Sequence, residues 1–346
     1  MKLIIFAGGI GTRLWPLSRE NSPKQFDKIF NGQSTIQLAA QRIAPAFGWE
    51  NIYVQTVPAY EKSIKDQIPE LPAGNIIIEP ARKNLAAAVC LAMIELNKIS
   101  YEGPVALLWA DHLMDKVENF ISALKTGEKL VLEGTDRFIF LGERPRFANN
   151  NLGWIKLGKE VGKINGQAYY SFGGWKYKPA TDECLKMFAS GQYFWNPGYF
   201  IVSSGFLLDQ YKKLAPDIYH EVANGNYCDA RQAHFDEAII EKIDLNNAVV
   251  LKTEMGWSDP GTLYALKEAL QKSSNENVVH GLASLLETQD SLIYNLEEGK
   301  LIAAVGLKGM VVINTPDALL VVPKDEVVKI TKLIEQLKQQ GHASYL

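Results

Sequence analysis

The chain opens on an unbroken apolar run, Lys2 to Ala7 (KLIIFA), which breaks into glycines at Gly8, Gly9 and Gly11. A strand with one wet face alternates apolar and polar residues, whereas a continuous run of this length suits a strand covered on both faces, as in a parallel sheet flanked by helices. Similar runs recur at 51–56 (NIYVQT), 75–80 (NIIIEP), 104–112 (PVALLWADH) and 137–143 (RFIFLGE), and helical patterns such as LAAAVCLAMIELNKI at 85–99 fall between several of them. This alternation predicts an α/β fold built on a mainly parallel mixed sheet. In such folds ligands bind beyond the C-terminal ends of the strands, so the residues that follow each run are the first functional candidates.

The second half changes its spacing. YFIVSSG (199–205) follows the turn WNPG, and FDEAIIEKI (235–243) predicts a helix leading to NAVVLKT at 247–253. From Asn275 onward come short β-rich pieces separated by turns: SLIYNL, KLIAAVGL, GMVVINT and ALLVVP. We therefore expect two domains, 1–272 carrying the chemistry and 273–346 forming a small β-rich appendage with a terminal helix. That helix is expected to place Val327, Val328, Ile330, Leu333, Ile334 and Leu337 on one face, with Gly341 as its stop signal. The apolar C-terminal pieces offer a face for a homodimer.

Composition removes several function classes. With 346 residues, a net charge of −3 and 22% charged residues, the chain has no basic field for nucleic acid or an anionic membrane surface, and its aromatic residues do not interleave with basic clusters. Cys90, Cys184 and Cys228 are far apart and make neither a Cys-x-x-Cys pair nor a disulfide framework, which points to a reducing compartment. The N-terminal apolar run is too short for a signal-peptide core or a membrane span. A cytoplasmic protein is expected. His112 has no partner at a zinc-ligand spacing, His220, His234, His280 and His342 read as surface residues, and Cys90 reads as a small core residue.

The strongest chemical signal is Ala7-Gly8-Gly9-Ile10-Gly11-Thr12-Arg13-Leu14-Trp15-Pro16-Leu17 followed by Pro23-Lys24-Gln25. Glycines after a buried strand let backbone N–H groups approach a phosphate with no Cβ in the way, and Arg13 and Lys24 add positive charge nearby. The same glycines also suit a plain tight turn. Neither a Walker loop nor a dinucleotide fingerprint is present. Asp111 closes the run PVALLWAD, and Asp259 lies in GWSDPG; each by itself reads equally as a helix cap or turn former.

The string GGIGTRLWPLSRENSPKQF resembles the signature of nucleotidylyltransferases acting on sugar 1-phosphates, and Trp15 with Pro23-Lys24-Gln25-Phe26 is most similar to the mannose-1-phosphate guanylyltransferase branch. Further matches follow in the family's order: Glu79-Pro80 through Asn84, Trp109-Ala110-Asp111-His112, Gly153-Trp154-Ile155, Lys178-Pro179, Trp195 to Phe200, and Gly256 to Gly261. The resemblance implies a Rossmann-like nucleotidyltransferase fold with a left-handed β-helix-like C-terminal piece. The implied reaction is transfer of GMP from GTP to mannose 1-phosphate, giving GDP-mannose and pyrophosphate. By family role, Ala7, Gly8, Gly9, Gly11 and Thr12 wrap the nucleotide, with Glu79 and Asn84 facing its base. Arg13 and Lys24 are the catalytic cations, and Asp111 and Asp259 hold Mg2+. Gly153, Tyr177, Lys178 and Asn196 belong to the sugar-phosphate side.

The sequence also departs from the family pattern. Lys83 stands where arginine is usual and Leu85 where a hydroxyl is usual. On the sugar side, Trp175-Lys176-Tyr177-Lys178-Pro179 carries Tyr177 in place of a carboxylate, and Asn151 replaces a glycine. A phenol makes fewer and weaker bonds to hydroxyls than a carboxylate. These changes keep two alternatives in view: a guanylyltransferase for another sugar 1-phosphate such as a heptose, and a nucleotide-sugar sensor without turnover. Asn84 serves equally as a helix N-cap, and Trp195, Tyr199 and Phe200 equally as core residues.

Overall fold

A computed structural model of the chain describes residues 1–346 except 10–13, 20–22, 24, 28–31, 135, 272 and 274. The strands of the first half are β1 (Lys2–Phe6), β2 (Ile52–Thr56), β3 (Ile76–Ile78), β4 (Pro104–Trp109), β5 (Leu113–Met114) and β6 (Phe138–Glu143). There follow β7 (Gly153–Ile164), β8 (Gln167–Tyr177), β9 (Tyr193–Trp195), β10 (Phe200–Ser203), β11 (Ala248–Thr253) and β12 (Trp257–Ser258). The C-terminal strands are β13 (Val278–His280), β14 (Ala283–Leu286), β15 (Leu292–Asn295), β16 (Ile302–Val305), β17 (Met310–Asn314) and β18 (Leu319–Pro323). The α-helices are α1 (Thr35–Phe47), α2 (Glu61–Gln67), α3 (Asn84–Lys98), α4 (Val117–Glu133), α5 (Thr181–Ser190), α6 (Ser204–Leu214), α7 (Pro216–Ala223), α8 (Leu263–Leu270) and α9 (Ile330–Gln339). The contacts divide the chain into two compact units, the larger made of Met1–Gly8, Ala39–Ala110 and Met114–Trp257.

The larger unit holds a ten-stranded mixed sheet of order β11-β8-β7-β9-β6-β10-β4-β1-β2-β3. The pairs β1–β2, β1–β4, β2–β3 and β6–β11 are parallel, and β10 runs antiparallel between β4 and β6. The continuous apolar runs are the strands buried on both faces: Leu3, Ile4, Ile5, Val105, Ala106, Leu107, Ile139 and Leu141 are all 0% exposed. Register makes the strand ends coincide. Phe6 pairs with Trp109, Phe200 with both Leu107 and Phe140, and Glu143 with Thr253 and Trp195, so Ala7, Ala110, Glu143 and Thr253 fall in one row at the C-terminal edge. The apolar runs leading toward Asp111 and Asp259 suggest neighbouring strands; the strands they form, β4 and β11, run the same way with level ends, but β10 and β6 lie between them, and β12, which directly precedes Asp259, pairs with β5 instead.

Helices cover the sheet where their apolar residues dictate. The alanine-rich α3 buries Ala86 to Met93 and Leu96 against α6 and α7, close packing that small side chains permit. α6 starts at Ser203, whose hydroxyl accepts the Phe206 N–H at 3.3 Å, and α7 starts on Pro216, where the missing N–H costs nothing. The helix expected at 235–243 is instead a π-turn over Asp236–Ile240, closed by Glu241 N–H donating to the Asp236 carbonyl at 2.9 Å. Its wider turn carries the consecutive residues Ala238, Ile239 and Ile240 into the core.

The smaller unit comprises Gly9–Leu38, Asp111–Leu113 and Ser258–Leu346. Its C-terminal part is β-helix-like: β13, β15 and β17 stack in parallel, β18 closes that sheet antiparallel to β17, and β14 pairs in parallel with β16. The coil interior holds Leu292, Tyr294, Val311, Ile313 and Leu320, packed with Leu14, Trp15, Leu17, Leu263, Leu266, Val327, Ile330 and Ile334. Val328, expected on the buried helix face, is 67% exposed; residues 324–329 form a 3-10 turn in which Val327 and Ile330 eclipse, and the neighbouring position points out. Lys267, 2% exposed, is neutralised by Asp290 at 2.5 Å and also bonds Gln271 at 2.6 Å. Among the described residues no helix is long and apolar enough to cross a membrane.

Two stacked asparagines close successive turns of this coil. Asn314 Nδ2 donates to Asn295 Oδ1 at 2.9 Å, and Asn295 Nδ2 donates to the carbonyls of Leu282 at 2.9 Å and Lys300 at 2.5 Å. Asn295→Ala strands these buried partners, and an unsatisfied buried group costs about 1–3 kcal/mol. The substitution is expected to lower the melting temperature by several degrees, whereas Leu286→Ser on the exposed side leaves it within about a degree. Differential scanning calorimetry of both variants checks the contrast.

Candidate functional site

The row of strand ends carries one group of candidates. Ala7 extends β1 by donating its N–H to the Gln55 carbonyl at 2.8 Å, and its own carbonyl accepts the Thr56 hydroxyl at 3.1 Å, so the chain reaches Gly8 on a fixed path. Glu79 sits just past β3 with its N–H on the Thr56 carbonyl at 2.7 Å. A Cβ on Gly8 would come within 3.2 Å of Glu79 Oε1, so glycine is what lets that carboxylate lie against the loop. Asn84 opens α3 with φ at 62°, a left-handed conformation asparagine tolerates, and its side chain is exposed. The N-cap position of α3 is Lys83, which makes no side-chain cap bond, and Asn84 is the first helical residue.

Glu79 is 6% exposed, and burial raises its pKa above the ordinary value; the Tyr227 hydrogen bond, the nearby Gln55 amide and the charge of Arg82 pull the other way. The Tyr227 hydroxyl donates to Glu79 Oε2 at 3.1 Å, and burial beside that carboxylate raises the phenol's own pKa. Nothing local in the sequence pointed to Tyr227, which lies 148 positions away. Cys90 is fully buried in α3 and its thiol is pushed up to about 12 by burial, the inert core residue expected.

A second group gathers where β7, β8 and β9 meet the same row. Gly153 pairs with Tyr177, Asn196 N–H donates to the Gly153 carbonyl at 2.8 Å, and Lys178 N–H donates to the Leu152 carbonyl at 3.1 Å. Trp154 pairs with Trp195, which pairs with Glu143, so Gly153, Tyr177, Lys178 and Asn196 assemble level with the end of β6. Tyr177 is 64% exposed, and the Lys178 ammonium lies 5.2 Å from its ring centroid. Asn196 Oδ1 accepts the Gly198 N–H at 3.0 Å, which fixes its amide. Trp195, Tyr199 and Phe200 are at most 2% exposed and belong to the core.

Glu143 was not anticipated. It is 1% exposed, its Oε2 accepts the Met255 N–H at 2.8 Å and the Thr253 hydroxyl at 3.1 Å, and its Oε1 accepts the N–H groups of Gly256 at 2.9 Å and Trp257 at 3.2 Å. One buried carboxylate thus fixes the turn from which the chain runs into Ser258 and Asp259. The signal was available as a lone acid at the end of the apolar run RFIFLGE.

In the smaller unit, Asp111 and Asp259 approach one imidazole: His112 Nε2 is 4.0 Å from an oxygen of each. Asp259 Oδ1 is buried without a hydrogen-bond partner among the described residues, and a Cβ on Gly261 would intrude to 2.8 Å from it. A buried carboxylate oxygen with no donor is costly unless a cation meets it. Among the described residues no three metal-binding side chains gather as a closed site. A pair of carboxylates completed by substrate oxygens and water is the open arrangement that Mg2+ favours. Gly9 accepts the Gln25 side-chain amide on its carbonyl at 2.8 Å and has open space at its Cα. Gly11, Thr12, Arg13 and Lys24 lie outside the described residues.

Known proteins share this plan. The family model for nucleotidyl transferases matches residues 2–276, and that for the MannoseP isomerase/GMP-like beta-helix domain matches residues 283–337. Mannose-1-phosphate guanylyltransferase 2 of Escherichia coli O157:H7 is 30% identical, over 99% of this chain and 74% of its own length. Mannose-1-phosphate guanylyltransferase RfbM of Salmonella typhimurium is 31% identical, over 99% of this chain and 73% of its own. Among solved structures, the crystal structure of mannose-1-phosphate geranyltransferase from Thermus thermophilus superposes with a TM-score of 0.85 at 27% identity, covering 97% of this chain and 99% of that one. The Rossmann-like nucleotidyltransferase fold with a β-helix-like C-terminal piece and closing helix is the one the sequence led us to expect.

The burial of Glu79 has a consequence for stability. Because its folded pKa is raised, the native state keeps a proton that the unfolded chain has lost, so its contribution to stability falls as pH rises from about 4.5 through the folded value. Wild-type protein is therefore expected to lose stability relative to Glu79→Gln over that interval, measured by denaturant unfolding at successive pH values. A difference that stays flat or grows with pH contradicts the burial effect.

Proposed function

Because the chain belongs to the nucleotidyl transferase family, among the mannose-1-phosphate guanylyltransferases, we propose that it transfers GMP from GTP to mannose 1-phosphate, giving GDP-mannose and pyrophosphate. The observation that carries this reading is the shared row of strand ends. The Gly8–Glu79 group and the Gly153–Tyr177–Lys178–Asn196 group both stand on it, at the edge where α/β sheets bind ligands. In this reading residues 1–272 carry the chemistry and 273–346 support it.

The sugar phosphate is already ionised at neutral pH, so its oxygen attacks the α-phosphorus directly as the bond to the bridging oxygen breaks and pyrophosphate leaves. No side chain has to remove a proton. Gly8, Gly9, Gly11 and Thr12 cradle the phosphates, with Glu79 and Asn84 toward the base. Arg13 and Lys24 offset the charge that builds on the leaving group. Asp111 and Asp259 are the residues to hold Mg2+, which when bound neutralises phosphate oxygens. Lys178 meets the phosphate of the sugar, and Tyr177 and Asn196 meet its hydroxyls. Tyr177, standing where a carboxylate is usual, favours as second reading a guanylyltransferase for another sugar 1-phosphate such as a heptose.

Pyrophosphate release measured with GTP, UTP and dTTP against a panel of sugar 1-phosphates tests both readings: turnover is expected with GTP and highest with mannose 1-phosphate, and a preference for UTP or dTTP overturns the guanylyl assignment. In the same panel Lys178→Ala is expected to impair every sugar phosphate, whereas Tyr177→Phe shifts the ranking among sugars by roughly 2- to 10-fold, the worth of one hydrogen bond. Equal loss across the panel for Tyr177→Phe removes that residue from sugar recognition. Asp111→Asn and Asp259→Asn are each expected to cut turnover by roughly 100-fold or more, with the double change little worse than the worse single one. Turnover against magnesium concentration for the three variants checks this, and multiplicative losses speak against a shared site.

A further inference from the structure

The contact between Tyr227 and Glu79 joins distant parts of the larger unit. Tyr227 sits on a short 3-10 turn, Tyr227–Asp229, and is 3% exposed, yet its hydroxyl reaches Glu79 Oε2 at 3.1 Å. The other oxygen, Oε1, faces Gly8 just past the end of β1, where a Cβ would come within 3.2 Å of it. Gln55, fully buried in β2, lies close enough to the carboxylate to favour its charged form, while its own Nε2 is tied to the Ala88 carbonyl at 2.8 Å. A phenylalanine would fill the space of Tyr227 without the bond, so the hydroxyl has a role beyond packing.

A buried carboxyl group can meet a purine in two ways. Ionised, it only accepts, and matches the N1–H and 2-amino donors of guanine; protonated, it donates once and accepts once, and matches the N1 and 6-amino group of adenine. Its ionisation therefore decides which base it suits. We propose that Tyr227 is a positioning residue for base recognition, its hydroxyl clamping Glu79 so that an ionised carboxylate meets the N1–H and 2-amino group of guanine. This deepens the guanylyltransferase reading and rests on it. The groups that face the carboxylate are the Tyr227 hydroxyl, the Gln55 amide and the Arg82 guanidinium, all favouring the charged form against burial. The Cys90 thiol faces Tyr227 and is kept neutral by burial.

The test compares GTP with ITP, which lacks the 2-amino group, in wild type, Tyr227→Phe, Glu79→Asp and the double variant, across pH. Removing the hydroxyl raises the Glu79 pKa, so in Tyr227→Phe the acid limb of kcat/KM for GTP moves to higher pH. The GTP:ITP preference falls about three- to tenfold, mostly through KM with kcat kept. In the Glu79→Asp background, where the shortened carboxylate has already left the clamp, Tyr227→Phe costs nothing further. A fluorinated tyrosine placed at position 227 alone, a stronger donor of nearly the same shape, moves the acid limb to lower pH and keeps a readout should Tyr227→Phe not fold. An unchanged acid limb and GTP:ITP ratio, or equal losses for GTP, ITP and UTP, overturn the proposal while leaving the guanylyltransferase reading intact. A wild-type enzyme that prefers UTP to GTP overturns both.

Discussion

Two carboxylates, Asp111 and Asp259, approach one imidazole, and one of them has a buried oxygen that no donor among the described residues meets. Asp111 and Asp259 repel each other, and neither the 4.0 Å separations from His112 Nε2 nor the space kept open by Gly261 supplies a hydrogen bond to Asp259 Oδ1. In the proposed reaction a divalent cation held by the two carboxylates would offset both costs. In the proposed reaction the carboxylates are thus a part of the phosphate site that makes physical sense only when metal and nucleotide are bound together.

Sheet register explains how candidates so far apart in sequence become one edge. Ala7, Ala110, Glu143 and Thr253 align because the pairings of β1, β4, β10, β6 and β11 are locked residue by residue, and a slip of one position would carry every side chain of a strand to the opposite face of the sheet. Glu143 then accepts the Thr253 hydroxyl at the end of β11 and three backbone N–H groups of the turn after it. A buried acid used in this way fixes backbone rather than substrate.

Much of this was legible in the sequence. Runs such as KLIIFA and PVALLWAD announce doubly buried strands, because only such strands dispense with polar alternation, and the glycines after β1 and the matched motifs located the candidates. What escaped depends on distance or on local geometry. Tyr227 reaches Glu79 across 148 positions with no pattern to mark it. The π-turn at Asp236–Ile240 and the outward Val328 follow from hydrogen-bond spacing, which hydrophobic periodicity does not encode. Asn84 looked like a cap, but the cap position falls on Lys83, and Asn84 is the first helical residue, at positive φ and exposed. Arg13 and Lys24 were named from sequence and fall outside the described residues, so their roles rest on the resemblance.

Binding of Mn2+ as a spectroscopic stand-in for Mg2+, followed by electron paramagnetic resonance in the presence of GTP, tests the paired-carboxylate site most directly. It reads occupancy rather than turnover. A single tight site in the wild type, weakened comparably by Asp111→Asn and by Asp259→Asn and weakened little further by the double change, is the expected result. Undiminished Mn2+ binding in either single variant would contradict a site shared by Asp111 and Asp259.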